Sequence, residues 1–274
     1  MLVRSATTRD CERLFRRDLE RRGQRFDHYK KRWQRPAAIA VVQASSNQAV
    51  GAAVTVTVTT AAGNLLVICA YQGVNNTSTL AITDSGGTNI WTQVGGYASA
   101  STASRMAMFF SPNAAAVTTI TATWSGGINA TIPATMYEIS GAAGLSPLDP
   151  NASLPGISSG TATATSLASA SISTSNVSGI LLYAVGEGGT SVGWSGTNSF
   201  LFPTGSFKAG GGRMGISNRI TTSVQSALTT TSSWTTTGID RIGIIAAFMA
   251  SFSSPEFVPG AGGRGMDQSC MVSY

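Results

Sequence analysis

Asp84-Ser85-Gly86-Gly87 is the segment of this chain that comes nearest to a nucleophile loop of the trypsin-like kind. A nucleophilic serine needs a base to take its proton and a third group to orient that base. The chain has one histidine, His28, and it falls in a basic N-terminal stretch far from Ser85. No preceding glycine supplies the turn such a serine occupies. Asp, Ser and Gly are also what a β-turn requires, and a turn is the expectation here. Glycoside hydrolysis needs two facing carboxylates. Beyond residue 36 there are seven acids: Asp84, Glu138, Asp149, Glu187, Asp240, Glu256 and Asp267. Glu138 stands out because it sits in an otherwise apolar strand. It reads either as an acid with a raised pKa, or as an outward strand position or a partner of Arg105 or Arg241. Glu187, in Gly186-Glu187-Gly188-Gly189, reads as loop-borne and able to meet a ligand or cation.

Other chemistry finds less support. Cys11, Cys69 and Cys270 are odd in number and far apart, without a CxxC, so neither a disulfide framework nor a zinc site is expected. Cys69 lies in an apolar run and reads as a buried small hydrophobe. Gly210-Gly211-Gly212 lacks the Lys-Ser/Thr of a phosphate loop. Five Asn-x-Ser/Thr matches, at Asn75, Asn76, Asn129, Asn151 and Asn176, are what a Ser/Thr-rich chain produces by chance. No cofactor, metal or catalytic residue is expected, and the chain reads as a non-enzyme. Sugar stacking is the binding chemistry that stays open. Trp91, Tyr97, Trp194 and Phe200 sit near turns, where an aromatic ring can meet a glycan. Trp124 and Trp234 read as core or rim plugs.

The elements that would position these residues fall into two kinds. Residues 1–36 carry twelve of the 18 Lys and Arg and five acids, an excess of seven positive charges, while the remainder carries six bases and seven acids. Within this arm Cys11, Phe15, Leu19, Phe26, Tyr29 and Trp33 recur at helical spacing, predicting an amphipathic helix over 8–34 that Pro36 ends. Glu12–Arg16, Asp18–Arg22 and Asp27–Lys31 are i,i+4 pairs of the favourable orientation. The apolar face Phe15, Leu19, Phe26, Tyr29 and Trp33 suits docking on the chain's own body or on a neighbour. The basic residues Arg13, Arg16, Arg17, Arg21, Arg22, Arg25, Lys30, Lys31 and Arg32 suit nucleic acid or another acidic partner. The interleaved acids favour docking, and a membrane partner is the least expected of the three.

From residue 37 the period changes to two. Val54, Val56 and Val58 alternate with Thr55, Thr57 and Thr59, the pattern of a half-buried strand. Further strands are predicted at 65–71, 105–110, 118–124, 131–139, 179–185, 213–220, 227–234 and 241–249, separated by Gly-, Asn- and Ser-rich turns. They repeat: Asn64-Leu65-Leu66-Val67 answers Gly179-Ile180-Leu181-Leu182, Arg105-Met106 answers Arg213-Met214, and Trp124 answers Trp234. Halves of about 50–140 and 161–250, with a hinge rich in Pro and Gly between them, predict an all-β sandwich spanning 37–252. Two four-stranded halves give the strand count of a jelly roll. Two independent small domains are the alternative. One sandwich is preferred, because a sheet with one apolar face needs the other half to cover it. A Gly/Pro-rich tail, 253–274, follows.

Gly63–Leu66, Thr88-Asn89-Ile90-Trp91, Met106–Phe110, Thr121–Trp124, Tyr137–Gly141 and Pro147-Leu148-Asp149-Pro150 together resemble a widespread family of jelly-roll-like β-sandwich proteins, found in tailed-phage virions and on bacterial surfaces. The resemblance covers roughly residues 50–250, carries no catalytic motif and does not include the arm. It implies a virion structural protein (capsid, capsid decoration or tail appendage) that assembles with copies of itself and with other virion proteins. The alternative is a host-surface or glycan-binding adhesin module. With no secretion signal read at its start, the chain is expected to reach a virion by assembly in the host cytoplasm.

Overall fold

Beyond residue 40 the chain is a succession of strands, because Val, Ile, Thr and aromatic residues recur between turns that Gly, Asn and Ser can make. The computed structural model describes residues 38–251, except 76, 101–102, 162, 189–192 and 209–212 and the side chains of 236, 238 and 239. The expected helix over 8–34, with its apolar face and its basic residues, and the tail 253–274 lie outside the described residues.

The first half contains β1 (Ala40–Val50), β2 (Ala53–Thr57), β3 (Leu65–Gln72), β4 (Leu80–Asp84), β5 (Thr92–Gln93), β6 (Ala98–Ser99), β7 (Arg105–Ser111), β8 (Thr119–Trp124) and β9 (Thr131–Ser140). The second contains β10 (Gly156–Gly160), β11 (Ala164–Ala168), β12 (Gly179–Gly188), β13 (Ser195–Gly196), β14 (Phe207–Lys208), β15 (Arg213–Thr221) and β16 (Thr231–Met249). Strand pairing is antiparallel, and no helix occurs among the described residues. The all-β class is therefore as the sequence predicts.

The topology differs from the expected two-sheet, eight-stranded jelly roll. A six-stranded sheet runs β1-β9-β3-β7-β5, with β6 also on β7, and a three-stranded sheet runs β2-β8-β4; both belong to the first half. A seven-stranded sheet runs β10-β16-β12-β15-β14, with β11 and β13 also on β16, and it belongs to the second half. The strands predicted at 227–234 and 241–249 are one strand, β16. Its first stretch pairs β11 and β13, and its last pairs β10 and β12. The second half thus repeats the main strands of the first, with β16 standing for both β8 and β9. Leu65 faces Ile139 as Ile180 faces Phe248, and Gln72 faces Arg105 as Glu187 faces Arg213.

The physical reason lies in β3 and β12. Every residue of β3 is buried, and so is all of β12 except Gly188. A strand apolar on both faces must be covered on both. One face of β3 packs on the three-stranded sheet through Leu66, Ile68, Val54, Val56, Ile120 and Trp124. The other face packs on the second half: Val67, Met108 and Tyr137 share a core with Leu182, Ile216 and Ile244. In the second half Tyr183, Val185, Leu167, Phe200 and Trp234 form the outer core. Each half is thus a small sandwich of its own, and each also covers the other.

Candidate assembly surfaces and the buried polar sites

The charged side chains of the described residues number five acids (Asp84, Glu138, Asp149, Glu187, Asp240) and five bases (Arg105, Lys208, Arg213, Arg219, Arg241), and none is fully exposed. Glu138, on β9, is buried completely. It faces neither solvent, Arg105 nor Arg241, contrary to expectation. Its carboxylate accepts hydrogen bonds from the Ala61 N–H at 2.8 Å, from Asn64 Nδ2 at 2.6 Å and from Gln43 Nε2. These neutral donors place β1 and the 61–64 turn against β9, which is a structural use of a carboxylate. Arg105 instead donates to the Ser78 carbonyl and stacks 3.8 Å over the Tyr97 ring. Arg241 donates to the Ser166 carbonyl of β11.

Glu187 is not loop-borne. It ends the buried part of β12 and pairs with Arg213 of β15 at 3.2 Å, with both side chains at or below 2% exposure. Burial lowers the Arg213 pKa, and the Glu187 charge acts in the opposite direction. Asp84 is a turn residue, as the sequence predicts. Its carboxylate accepts from the N–H groups of Gly86 and Gly87 and from Trp91 Nε1, at 2.9 to 3.0 Å. Asp149 fastens the hinge between halves by accepting from the N–H groups of Asn151, Ser175 and Asn176. No group of three or more His, Cys, Asp or Glu gathers among the described residues. Cys69 is buried, as expected.

The aromatics read for sugar stacking do not share a platform, and Phe200 is buried in the outer core of the second half. Trp91 and Tyr97 are half-buried against the outer core of the first half, and Trp194 against that of the second. The Tyr97 hydroxyl accepts from the Leu80 N–H at 2.6 Å, and its ring lies 6.2 Å from Trp124. Trp194 lies 5.3 Å from Trp234 and 5.8 Å from Phe202. No protein-family model, curated protein or solved structure matches the chain.

With the charges withdrawn, the exposed strand faces are hydroxyl-rich and neutral. On the three-stranded sheet Thr55, Thr121 and Thr83 stand in one row, with Thr57 beside Thr119 and Thr123 between Ala53 and Ala81. The Thr55 and Thr121 hydroxyls are 2.9 Å apart. On β16, Thr235 and Thr237 are exposed and Thr231 and Ser233 half-exposed, while Ser232 and Trp234 point inward.

Sequence reasoning missed β1 and what it does. The open edge formed by β2 and the residues that follow it offers carbonyls at Thr55, Thr57 and Thr59. Asn47 Nδ2, Ser45 Oγ and Gln43 Nε2 of β1 donate to them in turn, at 2.7, 3.1 and 2.6 Å. The signal was present as a polar alternation at 43, 45 and 47 in a segment without an apolar one.

Proposed function

We propose that this chain is a non-enzymatic structural subunit of a tailed-phage type of virion, as a capsid, capsid decoration or tail appendage protein, working by assembly with copies of itself and with other virion proteins. The observation that supports this most is the absence of a fully exposed charge among the described residues. A surface that stays free in solution ordinarily carries roughly 25–35% charged residues, and net neutrality favours association. Threonine, serine and alanine faces lose little on being covered, whereas exposed charges resist desolvation. The resemblance of residues 50–250 to virion sandwich proteins points the same way. So does the use of the Asp84, Glu138, Asp149 and Glu187 carboxylates as acceptors for turns, strands and an ion pair.

The arm fits this reading. It carries an excess of seven positive charges, and the phosphates of a packaged nucleic acid supply dense negative charge for such an arm to neutralise.

Size-exclusion chromatography with light scattering tests the proposal on the full chain. Concentration-dependent assembly is expected, together with nucleic-acid affinity that falls steeply with salt and is lost when residues 1–36 are removed. A chain that stays monomeric at high concentration and binds glycans would overturn the proposal in favour of an adhesin module.

A further inference from the structure

We infer that the chain is a fused pair: its halves meet through an isologous surface about a pseudo-two-fold axis, and Tyr71 set against Gly186 restricts that surface to the opposite half. This inference stands apart from the virion reading.

In an isologous interface a contact between i and j recurs as one between j and i, and a residue on the axis meets its own equivalent. The strand contacts between the halves follow that rule. β9 lies against β15 and β7 against β16, β1 against β14 and β6 against β10, and β3 against its own counterpart β12. Individual residues follow it too. Ala98 and Lys208 are counterparts, facing Met106 and Met214, so Gly95 and Gly205, each three residues earlier, correspond. Ser45 and Gly156 are counterparts, facing Met136 and Ile245, so Ala44 and Pro155, each one residue earlier, correspond. Gly205 packs on the Ala44 carbonyl, and Gly95 packs on the Pro155 ring. In both places a Cβ would overlap its neighbour, and both glycines have positive φ, 84° and 63°.

On the axis the symmetry is broken. Tyr71 and Gly186 are counterparts, because they precede the counterparts Gln72 and Glu187. A Cβ on Gly186 would stand 2.5 Å from Tyr71 Cδ2 and 2.6 Å from Cγ. The Tyr71 hydroxyl donates to the Asp240 carbonyl of the second half at 3.2 Å. Two first halves would bring ring against ring where there is no room for a Cβ. Two second halves would bring glycine against glycine and leave a ring-sized hole. Only the mixed pair fills the site, so the surface fits the opposite half and rejects its own kind.

Exchanging the two residues tests this in the full chain. Tyr71→Gly and Gly186→Tyr singly are each expected to lower Tm by roughly 10 °C or more. Tyr71→Gly with Gly186→Tyr is expected to recover at least half of the larger loss, since the ring then enters from the other side of the axis. A double variant no more stable than the worse single would overturn the inference. Should Gly186→Tyr alone not fold, recovery of folded protein in the double variant is the expected result and its failure the contrary one. A second measurement avoids the axis altogether. A protease site is placed at Leu145, which is 97% exposed in the hinge, and cut after folding. The fragments are expected to co-elute as one of each; separate elution, or a homodimer of either, would overturn the inference.

Discussion

Glu138 shows how a residue that looks chemical in the sequence can be structural. A carboxylate in the strand Thr131–Ser140 invites a catalytic reading, yet its oxygens hold Gln43, the Ala61 N–H and Asn64. Glu138→Ala strands these donors in a buried site. It is expected to cost about 3 kcal/mol, measured by urea unfolding, and Glu138→Gln less, since one acceptor oxygen survives. Glu187 and Arg213 make the same point, because a cross-strand register that the sequence does not print turns a loop acid into half of a buried ion pair. The residue types were legible in the sequence. Their partners were not, because those partners lie tens of residues away and are chosen by strand pairing.

At the scale of elements, the strands with alternation or continuous apolarity were legible, and their ends fall close to those predicted. β1 was not, because its polar side chains face a neighbouring strand rather than solvent. The Gln43, Ser45 and Asn47 rail closes the edge of β2, and open edges are templates for pairing with another chain. Replacing all three by Ala is expected to free the carbonyls of Thr55, Thr57 and Thr59. Light scattering should then show self-association beginning at a lower protein concentration than for the unaltered chain, accompanied by a modest loss of stability. A variant indistinguishable from the parent would mean that the edge is protected by other means. The aromatics Trp91 and Tyr97 brace the opposite side of the same small sandwich, against Asp84 and Leu80.

For the whole molecule, the cores gather groups that resist ionisation. Burial pushes the Tyr71, Tyr137 and Tyr183 hydroxyls and the Cys69 thiol well above their ordinary values, and for Tyr71 the nearby Asp240 and Glu187 add to the effect. In the unfolded chain the thiol loses its proton near pH ~8.5 and the tyrosines near ~10. Above those values the unfolded state binds fewer protons than the folded one, so stability falls as pH rises. Each group contributes up to about 1.4 kcal/mol per pH unit. Tm is therefore expected to decline above about pH 8.5 and faster above about 10, with Cys69→Ala removing the earlier onset. A Tm unchanged up to pH 11 would contradict the burial of all four.

The sequence by itself determined the all-β class, most strand positions, the internal repeat and the concentration of positive charge in residues 1–36. These follow from local periodicity and composition, which each segment carries alone. Tertiary structure decided that the repeat forms two sandwiches rather than one jelly roll, that β8 and β9 have a single counterpart in β16, and that Glu138, Asp149, Glu187, Arg213 and Arg241 are buried. It also decided that Tyr71 meets Gly186. Those facts depend on which apolar face covers which, and two faces of equal hydrophobicity look alike until the chain brings one of them against its partner.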